Sequence, residues 1–297
     1  MHACSPPISD PLLRRVRRLA TFRRAVAASA LLAVALTGAG VPAASIASAS
    51  TTTKSPLPPA LRKFAHCPVG NPNVSLCLTA ASTGTFQINS TTLTESSPIV
   101  LNLGLIQNPD GTMTVVLPDD GTPAMSAPPI SVPGGLLGIP GASGPLAVTA
   151  TPQLVGLPTF SLFNLETTDG PAISLPTDVL LTNPLLGTDC TVSSPSDPTT
   201  LNLTDGTTNP PGPNTPISGS IGKVRANKYG GVSTKGTVLV DNSFAVPGAS
   251  GCGLLGVLDP IINEQKGLPS PAGTNSVTLT GNSELVSASA IRQYIES

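Results

Sequence analysis

Few side chains in this chain suit acid, base or nucleophilic chemistry near neutral pH. There are two histidines, His2 and His66, and only His66 lies beyond the segment read below as a leader. A Ser-His-Asp hydrolase would have to use it, because imidazole alone has an unperturbed pKa suited to a general base at that pH. No nucleophile elbow supports such a site. Gly248-Ala-Ser-Gly-Cys252 departs from Gly-x-Ser-x-Gly at its last position and lacks the strand-then-helix setting. Ser220-Ile-Gly-Lys223 has the Ser-x-x-Lys spacing of penicillin-recognising enzymes, with Asp241-Asn242 downstream. Val240 stands where a serine is needed, however, and Lys235-Gly-Thr237 scrambles the third element. Ser-x-x-Lys also needs a helix, whereas residues 218–222 read as a Gly/Ser strand or turn.

Asp119 and Asp120 are the only adjacent carboxylates. Consecutive side chains of an extended chain point apart, so a glycosidase pair would need partners elsewhere, and the pair reads as a solvated turn before Gly121. A calcium loop would need spaced oxygen ligands that are missing here. The sequence therefore assigns no catalytic, cofactor-binding or metal-ligating residue. The run Gly134-Gly-Leu-Leu-Gly-Ile-Pro-Gly141 has no lysine and no following helix, which argues against a phosphate cradle. Its Leu136, Leu137 and Ile139 either tuck into a core or form an apolar loop over a lipid-like ligand or a partner.

The elements that would position such residues follow a leader. Arg14, Arg15, Arg17, Arg18, Arg23 and Arg24 precede a nearly continuous apolar run from Ala25 to Leu36, and Ala47-Ser48-Ala49 offers a cleavage site, so residues 1–49 read as an export signal. The apolar run is shorter than the roughly 20 residues a transmembrane helix needs, and no transmembrane segment is expected in the mature chain. Cleavage leaves nine basic residues against fifteen acidic ones, a net charge of −6, with no Lys or Arg between Lys63 and Lys223. A nucleic-acid partner needs clustered cations to release counterions, so this class is excluded, as is attraction to anionic lipid. Zero Trp and two Tyr disfavour a carbohydrate site.

Cys4 leaves with the leader, and Cys67, Cys77, Cys190 and Cys252 remain as an even set for an oxidising compartment. Of three connectivities, locality favours Cys67 with Cys77 and Cys190 with Cys252. Loop entropy gives roughly 2.5 kcal/mol for the first and roughly 4 kcal/mol for the second. A metal site is disfavoured by the absence of any Cys-x-x-Cys pair.

Beyond a Thr/Pro-rich linker over residues 50–63, expected to be disordered, the chain reads as one disulfide-bonded β domain, 64–297. Period-two patterns at Phe86 and Ile88, Leu201 and Leu203, Val238 and Val240, and Val277 and Leu279 suit half-buried antiparallel strands. Asp-Gly pairs at 110–111, 120–121, 169–170 and 205–206 mark turns. One short helix is expected from Pro260 to Lys266, with Asp259 as N-cap and Gly267 as terminator. Residues 118–145 read as a Pro/Gly-rich loop. The expected fold is all-β, an antiparallel Greek-key-like sandwich or flattened barrel of about ten strands with one short helix near the C-terminus.

Four segments, Cys67-Pro-Val-Gly-Asn-Pro-Asn-Val-Ser-Leu-Cys77, Asn183-Pro-Leu-Leu-Gly-Thr-Asp-Cys190, Leu201 to Thr208 with Pro210 to Pro216, and Val240 to Gly253, together resemble a group of uncharacterised secreted actinobacterial proteins. The resemblance covers most of the mature chain and implies an exported, disulfide-bonded protein, with no activity or site residue to carry over. The expected function is that of a secreted, non-enzymatic structural, adhesive or ligand-binding protein, extracellular or loosely associated with the cell envelope, without a cofactor. Its expected partners are an apolar ligand or a cell-surface component. The alternative is an extracellular hydrolase with an unidentified nucleophile.

Overall fold

The computed structural model describes residues 56–295; residues 1–49, read as a leader, and residues 50–55 of the expected linker lie outside them. Its strands are β1 (Leu76–Ile88), β2 (Thr91–Gln107), β3 (Met113–Val116), β4 (Met125–Ser126), β5 (Ile130–Ser131), β6 (Thr149–Leu154), β7 (Thr159–Phe160), β8 (Ile173–Thr182), β9 (Thr191–Val192), β10 (Thr199–Leu203), β11 (Lys223–Ala226), β12 (Val232–Asp241), β13 (Ala249–Ser250) and β14 (Ser276–Ser287). They form two seven-stranded sheets. One runs β11-β12-β14-β1-β2-β3 with β4 also on β2, and the other runs β13-β9-β8-β6-β5 with β7 and β10 also on β8. Every ladder is antiparallel. In the first sheet β14 returns beside β1 after all of the second sheet has been built, giving the β14-β1-β2-β3 order of a Greek key. The fold is thus an all-β sandwich.

Sequence explains the longest elements directly. The β1–β2 hairpin closes through Asn89-Ser90, and Asn89 takes φ 51°, a left-handed conformation that asparagine tolerates in two-residue turns. Strand β10 alternates strictly, with Thr199, Leu201 and Leu203 buried between exposed neighbours. Val277 and Leu279 are buried in β14 between polar neighbours, as their alternation predicts. In β12 the alternation of Val238 and Val240 points to one face, yet Leu239 between them lines the space between the sheets. A bulge between Lys235 and Thr237 shifts the register there and re-aims the strand.

Four features differ from expectation. Among the described residues there are three short helices: α1 (Leu162–Thr167), α2 (Asp259–Lys266) and α3 (Ala288–Ile295). Helix α2 ends at left-handed Gly267 as expected, but Asp259 is its first residue and not its cap. The Asp259 carboxylate accepts the Cys252 amide at 2.7 Å. Residues 56–63, expected to belong to a disordered linker, are ordered. Leu61 and Phe64 lie three apart on the 3-10 turn Pro59–Phe64 and are both fully buried, against a second core that includes Val74, Cys77, Val286 and Ile291. Helix α3 covers the same core, and Arg292 locks it by donating to the carbonyls of Val69, Asn71 and Val74. The 118–145 stretch holds β4, β5 and two 3-10 turns.

Candidate ligand-binding cavity

The inner faces of the two sheets do not fill the space between them. Two neighbouring apolar lobes of about 140 and 100 Å³ remain, and they share Ile99, Met125, Leu175 and Leu279 as walls. Both are partly open to solvent, so they form an apolar cleft between the sheets and not sealed voids. Facing sheets stand about 10 Å apart, and this chain, with six Phe, two Tyr and no Trp, offers few large rings to bridge that gap. The larger lobe is walled mainly by Val, Leu, Ile and Ala.

Phe86, Ile88 and Leu93 of the β1–β2 hairpin close one end of the larger lobe, and Ile262, Lys266 and Leu268 come from α2 and its exit. Its threonines Thr177 and Thr199 are satisfied within the protein: Thr177 donates to the Thr199 carbonyl and the Thr199 hydroxyl meets that of Ser193. Among the described residues Lys266 is the only ionisable side chain lining either lobe. Its ammonium donates to the Pro133 carbonyl at 2.9 Å, and burial among apolar groups pulls its pKa below the ordinary lysine range. Among the described residues no carboxylate pairs with it. Glu95 is also buried, at 5% exposure, with Oε1 accepting the Ser97 amide and Oε2 unpartnered, but it lines neither lobe.

The Gly134–Gly141 run divides between the two roles considered for it. Gly135 borders the larger lobe and Leu136 is buried, while Leu137 and Ile139 are exposed. A further apolar surface follows the second disulfide, where Leu254, Leu255, Val257 and Ile261 are exposed.

The four predicted cysteines form the predicted pairs, Cys67–Cys77 and Cys190–Cys252, with Cα separations of 5.8 and 4.2 Å. The second disulfide ties the approach to α2 to the Asn183–Leu186 segment, where the Gly253 amide donates to the Leu186 carbonyl at 2.8 Å. Ser220 and Lys223 lie in extended chain, Ser220 bridging to Val238 and Lys223 opening β11, so the Ser-x-x-Lys geometry is absent. His66 and Asp120 come together in a pair that sequence reasoning missed. His66 Nδ1 donates to Asp120 Oδ2 at 2.7 Å, and Thr122 Oγ1 lies 3.0 Å from the same nitrogen. That hydrogen bond, with a further one from the Thr122 amide, holds the Asp120 carboxyl down at about 2. A triad would need its hydroxyl at Nε2, and among the described residues none is hydrogen-bonded there. No group of three or more His, Cys, Asp or Glu among the described residues is placed to hold a metal ion. No helix among them is long and apolar enough to cross a membrane.

Comparison of the chain with protein-family models, with curated proteins and with solved structures finds no match.

Proposed function

We propose that this protein is a secreted, non-enzymatic binder of an apolar small molecule held between its two sheets. The observation that carries the reading is the pair of adjoining apolar lobes, which leaves core side chains short of packing partners that a ligand would supply. An apolar cavity of about 150 Å³ takes a benzene-sized molecule, so the two lobes together suit a chain or ring system of somewhat greater size. Export is supported by the leader and is compatible with the two disulfides.

A neutral dye tests it. 1-N-phenylnaphthylamine should brighten on binding the purified mature chain, and Val179→Phe, which places a ring into the larger lobe, should abolish the signal while the protein stays folded. Equal brightening in both proteins would move the binding elsewhere and sink the reading. The hydrolase alternative rests on the His66–Asp120 pair. An esterase, peptidase and glycosidase screen should show no turnover, and turnover lost in His66→Ala would overturn the non-enzymatic reading.

A further inference from the structure

The cavity is apolar along its walls but not at every point of its rim. Lys266 ends helix α2 and lines the larger lobe at the side where the hairpin tip (Ile88, Thr91), the turn from Val132 to Gly135 and Leu268 meet. Asn89 of that tip donates to the Gly267 carbonyl at 3.4 Å, and the Lys266 ammonium donates to the Pro133 carbonyl, so the hairpin tip and the Pro133 turn both meet the end of α2. Lys266 is half-buried.

An ammonium has three donors, and Lys266 uses one of them within the protein. Its stem forms part of the apolar wall, and its charge has no counter-ion among the described residues. A partly desolvated cation without an anion gains most from a ligand that brings one, because charge-assisted hydrogen bonds are about twice as strong as neutral ones. Its lowered pKa has the same origin, the cost of holding the charge there unpaired.

We infer that the ligand is a single-chain amphiphile with a carboxylate head, its tail lying in the two lobes and its head paired with Lys266. The inference rests on the reading of the cavity as a ligand site and adds the sign and position of the head group. With both lobes occupied, the tail is of medium length, about ten carbons on the scale set by a benzene-sized cavity.

Binding of decanoate, decanol and decylamine to the mature chain, by calorimetry and by displacement of 1-N-phenylnaphthylamine, separates the two levels of the argument. Decanoate should bind at least about tenfold more tightly than decanol, and decylamine more weakly than either. Lys266→Met keeps the apolar stem and should bring decanoate down to the affinity of decanol without changing decanol. Lys266→Arg should preserve the preference. Equal affinities for decanoate and decanol in the unaltered protein would overturn the inference while leaving the cavity a ligand site. So would a Lys266→Met variant that weakens both alike or neither. Failure of all three probes and of the dye would instead remove the cavity reading, and the inference with it.

Discussion

His66 and Asp120, 54 residues apart in the chain, meet across 2.7 Å and fasten the Asp119–Thr122 turn to the start of the domain. The Asp120 carboxylate also accepts the Thr122 amide at 3.0 Å, so the turn is closed from both sides. Both partners of the pair are nearly half exposed, which makes it a surface fastening open to solvent.

The Asp120 carboxyl is held at about 2 chiefly by the hydrogen bond from His66. A depressed carboxyl pKa contributes stability that is present above the unfolded value, about 3.9, and is lost as pH falls through the folded value. The loss belongs to the window from about 4 down to about 2. Carbon-detected NMR titration should find Asp120 titrating at about 2, and His66→Ala should move it up towards the ordinary range. An unchanged titration in that variant would assign the depression to Thr122.

Asp205 is 2% exposed, and among the described residues neither of its carboxylate oxygens has a hydrogen-bond partner. Burial raises its pKa, so the sign is opposite: stability is fully present below the unfolded value and is lost as pH rises through the folded one. Asp205→Asn should stabilise the protein at pH 7 by roughly 1 kcal/mol or more, and the gain should vanish at pH 3. Urea denaturation at both pH values measures it; an equal gain at both would exclude the charge as its cause.

Leu255 takes φ 55° and ψ 28° with its side chain 95% exposed. A leucine in the left-handed region costs about 1 kcal/mol, and this one buries almost nothing in return. Leu255→Asn should raise stability by roughly 0.5–1 kcal/mol, read as a higher urea midpoint at unchanged m-value. A fall in midpoint would show that the leucine is packed in solution.

Removing the Cys190–Cys252 bridge by paired Cys→Ser changes should cost about 4 kcal/mol, and removing Cys67–Cys77 about 2.5 kcal/mol. The two disulfides span 62 and 10 residues, and the longer loop gains more entropy when freed. Denaturant titration of each variant gives the order, and a larger cost for the short loop would point to the packing of Cys67 and Cys77 in the second core.

Val192 lines the larger lobe. Val192→Ile adds one methylene to unfilled apolar space, which should stabilise the ligand-free protein by about 0.8 kcal/mol and weaken dye binding. Thermal unfolding and dye titration of the same variant test both halves, and destabilisation would mean that the space at Val192 is already filled.

Much of the architecture is legible in short-range patterns. Alternation at Leu201 and Leu203 or Val277 and Leu279 survives because one face of each strand is buried, and Gly267 ends α2 because the left-handed turn there favours glycine. Elements whose order comes from distant partners were not legible. Leu61 sits in a stretch whose Thr/Ser/Pro content suggests a linker, and it is ordered with the neighbouring Phe64 by burial in a core shared with Val286 and Ile291, more than two hundred residues away in the chain. Helix α3 carries a single basic residue and no strong start signal, and it is held by the bonds of Arg292 to the carbonyls of Val69, Asn71 and Val74. Asp259 looks like a cap from its place before Pro260, but the fold of the second disulfide loop brings the Cys252 amide to it instead.

Sequence by itself determined the long stretch without Lys or Arg, the cysteine pairs and a β chain poor in aromatic rings, because composition and spacing along the chain carry each of these. Only the tertiary structure decided that adjoining lobes remain between the sheets, that among the described residues Lys266 is the one charge on their walls, and that His66 meets Asp120. A void and a contact between distant residues are properties of two surfaces brought face to face, and no local pattern along the chain contains both surfaces at once.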